Sequence, residues 1–178
     1  MPDDAKRQTA ARLLALPDDT LLHECEVDVY RASGPGGQHR NKVSSAVRLR
    51  HRTTGLIVTA TESRSQHENR ARALRRLRRA IALHVRTPID EEAYRPTPLL
   101  AGCISEQGRL CVGRRDARYL TAVGEILDLL AGCGVQVSSV AARLGVSTAH
   151  LVSFFKDDPH VWARVNQMRA EAGQKPLR

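Results

Sequence analysis

The sequence predicts an α+β protein: a small, mostly antiparallel sheet with one packed basic helix, followed by a small all-α region patterned as a helix-turn-helix. Three observations carry this. Short runs of alternating or β-rich residues precede residue 62. An arginine-rich stretch with apolar residues every 3–4 positions follows. Beyond residue 113 the apolar spacing is helical.

In chain order, residues 3–15 are expected to form a short helix with Asp3 and Asp4 at the positive end of its dipole, and Pro17 breaks it. Cys25, Val27 and Val29 alternate with Glu26, Asp28 and Tyr30, which predicts a half-buried strand. Ala46 to Arg50 alternates again. Thr53-Thr54-Gly55 reads as a turn, and Leu56 to Thr61 supplies a third strand. The simplest arrangement is a meander with one long loop before its second strand. Ser65 and Glu68 fit a capping box, each side chain bonding the other's amide, at the start of a long helix. On that helix Ala71, Leu74, Leu77 and Ile81 share the side that covers the sheet, and Arg72, Arg75, Arg76 and Arg79 form a cationic stripe on the other.

Residues 87–98 hold three prolines and an acidic patch. The expected division is an extension over 1–21, a functional domain over 22–86, a linker over 87–113 and a helical domain over 114–178. In the last, Asp116 to Leu130 is helical, ended by Gly132 and Gly134. Ala141, Gly145 and Leu151 then sit where a helix-turn-helix needs a small residue, a turn glycine and a buried anchor. Asp158 and Pro159 read as the N-cap and first residue of a final helix that Gly173 stops. Phe154, Phe155 and Trp162 are expected in the core.

Composition narrows the function. A chain of 178 residues can bury one good core, or one domain and a smaller one. No apolar run approaches the roughly 18 residues of a membrane span, and the N-terminus lacks the order of a signal peptide, so a cytoplasmic protein is expected. Cys25, Cys103, Cys111 and Cys133 lack zinc spacing and are expected as reduced, mostly buried thiols, with no metal. The net charge of +9 is concentrated. Residues 31–95 carry 15 Lys/Arg against 5 Asp/Glu, while residues 1–30 carry 3 against 7 and residues 96–178 carry 10 against 7. An excess of that size in one stretch points to a polyanionic partner.

Inside the basic stretch lies Arg31-Ala-Ser-Gly-Pro-Gly-Gly-Gln-His-Arg-Asn-Lys42. Gly36 and Gly37 have no side chain to keep a ligand off their backbone amides, Pro35 fixes one torsion ahead of them, and Gln38 donates and accepts without ionising near neutral pH. With no Ser-His-Asp order or metal-ligand cluster nearby, the chemistry this tip supports is positioning and backbone hydrogen bonding. One amide aimed at a developing oxyanion is worth roughly 2.7–4 kcal/mol. His39 is the less favoured general base, and His51 and His67 read as structural or RNA-facing.

The run GPGGQHRNKVSSAVRLRHRTTGL, followed by ESRSQHENRARAL, resembles the catalytic domain of class I peptide-chain release factors, which share a GGQ loop, a following Asn, a Ser-Ala-Val-Arg-Leu strand and an Arg-Ser-Gln…Asn helix start. The likeness covers about residues 22–85. It implies hydrolysis of the ester joining a nascent peptide to tRNA in the ribosomal peptidyl-transferase centre, with no metal or organic cofactor. It implies catalytic roles for Gly36, Gly37 and Gln38: the Gln38 amide on the oxyanion, its side chain orienting water, and the substrate's terminal 2′-OH assisting the proton. RNA-contacting residues would be Arg31, Arg40, Asn41, Lys42, Arg64, Gln66, Asn69, Arg72, Arg75, Arg76 and Arg79, with Arg64, Ser65, Gln66 and Asn69 alternatively serving domain integrity.

Full-length release factors also read a stop codon, and no tripeptide decoding motif is found here. Short ribosome-rescue hydrolases are the nearer likeness, although their basic disordered tail is not matched by residues 96–178, which are patterned to fold. The expected function is therefore a codon-independent, ribosome-associated peptidyl-tRNA hydrolase acting on stalled ribosomes or large subunits, monomeric and without a membrane partner. The alternatives are a non-catalytic RNA-binding regulatory module and a stop-codon-dependent release factor. The second helix of the helix-turn-helix offers little beyond Lys156 and His150 for reading DNA.

Overall fold

A computed structural model describes residues 9–31 and 44–178. In order, the elements are α1 (Ala10–Ala15), α2 (Asp18–His23), β1 (Cys25–Tyr30), β2 (Ala46–His51), β3 (Ile57–Ala60), α3 (Gln66–His84), α4 (Pro98–Ala101), α5 (Tyr119–Gly132), α6 (Val137–Leu144), α7 (Thr148–Lys156) and α8 (Pro159–Glu171). The α+β class is as predicted. Two compact units divide the described residues: Arg12–Ile81, and Thr9–Ala11 with Ala82–Arg178.

In the first unit β1, β2 and β3 form an antiparallel meander. Register pairs Cys25 with His51, Val27 with Leu49, Tyr30 with Ala46, and Val47 with Ala60. Residues opposite one another in an antiparallel pair share a face, so one face carries Val47, Leu49 and Ala60, all fully buried with Leu77 and Ile81 of α3. The other face is wet. There Glu26 meets Arg50 at 3.7 Å and Asp28 meets Arg48 at 3.6 Å, a ladder of exposed opposite charges whose individual contributions are small.

Strand β1 has the predicted bounds but not the predicted burial. Cys25 is buried, whereas Val27 and Val29 are 42% and 36% exposed. Both lie on the covered face of an edge strand, beyond the stripe that α3 protects. A cleft of about 370 Å³ opens there, lined by Asp19, Leu22, His23, Val27 and Arg70.

Helix α2 was not foreseen. Pro17 ends one helix and occupies the N-cap of the next, where a missing N–H is no loss, and Asp18 and Asp19 face the positive end of the dipole. Of the helix expected over 3–15, Ala10–Ala15 is present, and residues 1–8 lie outside the described residues. Arg78 closes this corner. Its guanidinium donates to the Leu14 carbonyl at 2.9 Å, to the Leu16 carbonyl at 2.7 Å, and to the Asp18 carboxylate. At the β2–β3 turn, Gly55 takes φ +71° and donates to the His51 carbonyl at 2.9 Å. Fully buried His51 accepts the Thr54 N–H at Nδ1, so Nε2 carries the proton toward Glu24 at 3.1 Å. That histidine is structural.

The second unit is helical. The stretch read as a linker, 87–113, holds α4 and gives Leu100, Cys103, Leu110 and Val112 to the core. Its prolines misled: Pro98 sits in the first turn of α4 behind Thr97, whose hydroxyl accepts the Leu100 N–H at 3.3 Å. The core itself is built from Ile126, Leu127, Leu130, Leu151 and Phe155, all fully buried. Phe154 is buried with them, while Trp162 is half-buried beneath the Lys156 ammonium, 5.3 Å from its ring centre. Helix α6 ends at Gly145 with φ +67°, and the Ser147 hydroxyl caps α7 by accepting the His150 N–H at 3.2 Å. Asp158 caps α8 from the His160 N–H at 2.9 Å, as predicted. No helix among the described residues is long and apolar enough to cross a membrane.

Gly108 has φ +67°, and a Cβ there would lie 2.5 Å from the Gly145 carbonyl oxygen. Gly108→Ala should therefore destabilise the helical unit by about 2 kcal/mol or more, from left-handed strain and overlap combined; an unchanged denaturant midpoint would refute the close approach. Burial raises the Cys25 thiol to about 11, and Cys25, Cys103 and Cys133 are all buried while Cys111 is exposed. At pH 8 Cys25 is fully protonated, so a thiol reagent followed by peptide mass mapping should label Cys111 rapidly and Cys25 only after unfolding.

Candidate functional site

The site begins at one end of the sheet. The last rung of β1 and β2 pairs Tyr30 with Ala46, which brings the two ends of the intervening chain side by side. Tyr30 is held further by the Arg48 guanidinium, 5.0 Å from its ring centre. Gly36, Gly37, Gln38, Arg40, Asn41 and Lys42, expected to carry catalysis and RNA contact, lie outside the described residues. Arg31, the first residue past β1, is exposed.

The start of α3 is tied to this same end. Asn69, fully buried, donates through Nδ2 to the Ser45 carbonyl at 2.7 Å and the Ser63 carbonyl at 2.8 Å. Its Oδ1 accepts the Ser63 N–H at 2.9 Å. The Ser45 hydroxyl donates to the Ser63 carbonyl at 3.2 Å. One amide thus joins three segments: the entry to β2, the β3–α3 turn and the first turn of α3. An RNA contact for Asn69 is incorrect for this conformation, because no part of the residue reaches solvent and its three strongest polar valences are taken.

The capping box forms by half. Ser65 Oγ accepts the Glu68 N–H at 3.3 Å, but the Ser65 N–H goes to Ser63 Oγ at 3.0 Å, and Glu68 turns along the helix toward Arg72. Ser63 is a nearer acceptor than the glutamate. Arg64 and Gln66, on either side of the cap, are exposed.

The cationic stripe divides into engaged and available groups. Arg76 lies down on the sheet, donating to the Thr59 carbonyl and the Glu62 carboxylate, and it holds the Glu62 carboxyl below the usual carboxylate range. Arg72 sits 3.8 Å from Glu68, a loose exposed pair. Arg78, which sequence reasoning passed over, is engaged by α1 and α2. Among the described residues, Arg64, Arg70, Arg75 and Arg79 have neither an ion pair nor a hydrogen-bond partner, and all four are exposed. Arg75 and Arg79 stand one turn apart on the ridge facing away from the buried leucines. Arg70 was missed because its position falls on the apolar side of α3, where the open cleft leaves it in water. A signal existed: a charged residue in line with Leu74 and Leu77 marks where the apolar cover ends.

This arrangement can present a chain segment from a fixed base beside unneutralised guanidinium groups, and phosphate is the ligand such groups fit. No cluster of metal-ligating side chains occurs among the described residues. In the second unit, His150 Nε2 accepts the Leu110 N–H at 2.9 Å and Lys156 covers Trp162, so the two basic groups expected on α7 both have intramolecular partners.

Comparison with known proteins agrees with the motif reading. The RF-1 domain profile matches residues 18–109. Peptide chain release factor 1 of Erythrobacter litoralis is 36% identical over 143 residues, covering 71% of this chain and 39% of the relative. Peptide chain release factor 2 of Paramagnetospirillum magneticum is 60% identical over 82 residues, covering 42% of this chain and 22% of the relative. Peptide chain release factor 1 of Gluconacetobacter diazotrophicus is 58% identical over 52 residues, covering 29% and 15%. The chain thus spans about two fifths or less of the length of these relatives. With the match running from α2 through the meander and the basic helix to Arg109, over half of its length, this chain belongs to the RF-1 domain family.

Proposed function

We propose that this chain is a ribosome-associated peptidyl-tRNA hydrolase that releases nascent peptides without reading a codon. The observation that carries the reading is the Gly36-Gly37-Gln38 segment in an RF-1 domain chain, set between two strands whose ends are paired at Tyr30 and Ala46. The functional domain is taken as 22–86, with the helical residues after it as a separate module whose core includes Leu100, Leu110 and Val112.

In this reading water attacks the ester carbonyl carbon linking peptide to tRNA. The Gln38 N–H donates to the oxyanion that forms, and the Gln38 side chain orients the water. Collapse of the tetrahedral intermediate breaks the bond to the tRNA 3′-oxygen, which takes a proton relayed by the neighbouring 2′-OH. One water is consumed, and a free peptide carboxyl and a deacylated tRNA result. Glycine at 36 and 37 leaves the amides reachable. The energetic demand on the protein is electrostatic and positional, and one well-aimed amide is worth roughly 3 kcal/mol, about a hundredfold in rate. Binding falls to the exposed cations, with Arg31, Arg64, Arg75 and Arg79 as phosphate contacts on large-subunit rRNA or tRNA backbone.

Release of labelled peptide from ribosomes programmed with truncated, sense-codon and stop-codon mRNAs tests the reading. Equal release on all three is expected. It should be lost in Gly37→Ala and sharply reduced in Gln38→Ala, which keeps the amide and removes only the side chain that orients the water, with ribosome binding retained. Release confined to stop codons would replace the proposal with termination, and binding without ester cleavage by the parent chain would replace it with a regulatory RNA-binding module. For the cations, Arg75→Ala combined with Arg79→Ala should weaken ribosome binding and lower the salt slope by roughly 1.5, since each lost phosphate contact removes about 0.7–0.9. Arg78→Ala should instead lower the melting temperature, because it abandons Asp18 and two carbonyls.

A further inference from the structure

The helical unit carries a cationic surface of its own. Residues 109–115 leave a short hairpin, in which the Ser105 N–H donates to the Arg109 carbonyl at 2.8 Å and the Cys111 N–H to the Cys103 carbonyl at 2.7 Å. Burial then alternates along the segment. Leu110 and Val112 enter the core, whereas Arg109, Cys111 and Gly113 face solvent. The segment runs beside α7. At one end the Leu110 N–H is donated to His150 Nε2 at 2.9 Å, close to the start of the helix. At the other, Arg114 lies near the Tyr119 hydroxyl, which bonds Asp158 at 3.3 Å, just past the end of the helix. Burial and the Asp158 charge raise that phenol, and the Arg114 charge opposes them. The two lengths agree: the extended chain from Leu110 to Arg114 reaches about 13 Å, and the helical path from His150 to Asp158 rises about 12 Å.

The guanidinium groups of Arg109, Arg114 and Arg115 are exposed and have neither an ion pair nor a hydrogen bond among the described residues. The nearby acids are mostly spent. Arg118 holds Asp116 and Asp158 caps α8, which leaves Glu106 and Asp157 at the two ends of the surface. On α7 the exposed outward residues are Thr148, Ala149 and Ser153, with Ala149 and Ser153 on the side nearest the arginine segment. Such side chains are too short to reach base edges, which DNA readers contact through Arg, Lys, Asn or Gln. They suit a backbone instead, because an A-form RNA duplex offers phosphates and 2′-hydroxyls across a wide, shallow minor groove. We propose that α7 and residues 109–115 form an RNA-binding surface distinct from the ridge of α3. It takes double-stranded RNA through phosphate contacts at Arg109, Arg114 and Arg115 and through 2′-hydroxyl contacts along α7.

Fluorescence anisotropy of the full chain with a labelled RNA duplex of about 16 base pairs, and with a DNA duplex of the same sequence, tests the surface. Arg75→Ala and Arg79→Ala are present in every sample, so that the ridge of α3 does not mask the result. Relative to that parent, Arg109→Ala, Arg114→Ala and Arg115→Ala together should weaken RNA binding about tenfold or more. They should also lower the salt slope by roughly 2, since each lost phosphate contact removes about 0.7–0.9. Ala149→Glu keeps all three arginines and places a carboxylate in the first turn of α7, where the dipole favours it. It should weaken RNA binding about tenfold through repulsion of the phosphates. The DNA duplex should bind about tenfold less tightly than the RNA, having no 2′-hydroxyl. Parent-like affinity in the triple variant overturns the proposal. So does parent-like affinity in Ala149→Glu, which puts the arginine contacts away from α7, and so does DNA binding as tight as RNA binding. If the triple variant lacks the native circular dichroism spectrum, Ala149→Glu decides alone. No ribosome and no ester is present, so this result stands apart from success or failure of the hydrolase reading.

Discussion

A single buried amide organises the first unit. Asn69 is where the entry to the second strand, the turn after the third and the first turn of the basic helix are made to agree, and each of its bonds is to main chain rather than to a replaceable side chain. A polar group taken fully out of water is tolerated when its valences are met, and it then specifies one arrangement far better than an apolar residue could. The consequence is geometric. Sheet and helix cannot slide past one another without orphaning the Ser45 and Ser63 backbone. The chain between Tyr30 and Ala46 therefore starts and ends at a determined place.

The second constraint is how charge is distributed over the basic helix. An excess of ten positive charges in residues 31–95 reads as a uniform cationic surface, yet the fold sorts it. Arg48 and Arg50 are answered across the sheet by Asp28 and Glu26, Arg76 by Glu62, and Arg78 by Asp18. On α3 and in the turn before it, Arg64, Arg70, Arg75 and Arg79 have no partner among the described residues. Paired arginines hold parts of the unit together and the exposed ones do not, so the two groups differ in what their loss would do.

Legibility in the sequence followed the range of the interaction. Strand β1 and the last helix cap are local patterns, and both have their predicted bounds or partners, at Cys25–Tyr30 and Asp158–Pro159. The meander and the αL turn at Gly145 were equally local. What could not be read depended on neighbours distant in the chain. Val27 and Val29 alternate as a buried strand should, but their exposure is set by where α3 ends its cover. The Glu68 half of the capping box lost to a serine two residues before the cap. Arg78 resembles its neighbours in sequence and differs only because the carbonyls of Leu14 and Leu16, some sixty positions earlier, converge on it. The proline-rich stretch after α3 looked extended because proline usually is, whereas Pro98 starts a helix and Leu100, Leu110 and Val112 are core. For the candidate site, the glycine-glutamine motif is a reading of the sequence alone, since residues 36–38 lie outside the described residues, and the Asn69 anchor was visible only as a motif letter whose partners the sequence does not name.

The most direct measurement is a reconstruction by electron cryomicroscopy of the chain bound to ribosomes that hold peptidyl-tRNA. The account predicts density for Gly36-Gly37-Gln38 against the terminal adenosine of the tRNA, with the Gln38 amide facing the ester and the outer ridge of α3, at Arg75 and Arg79, on RNA phosphates. Binding through the helical unit, with residues 36–38 remote from the tRNA end, would contradict it.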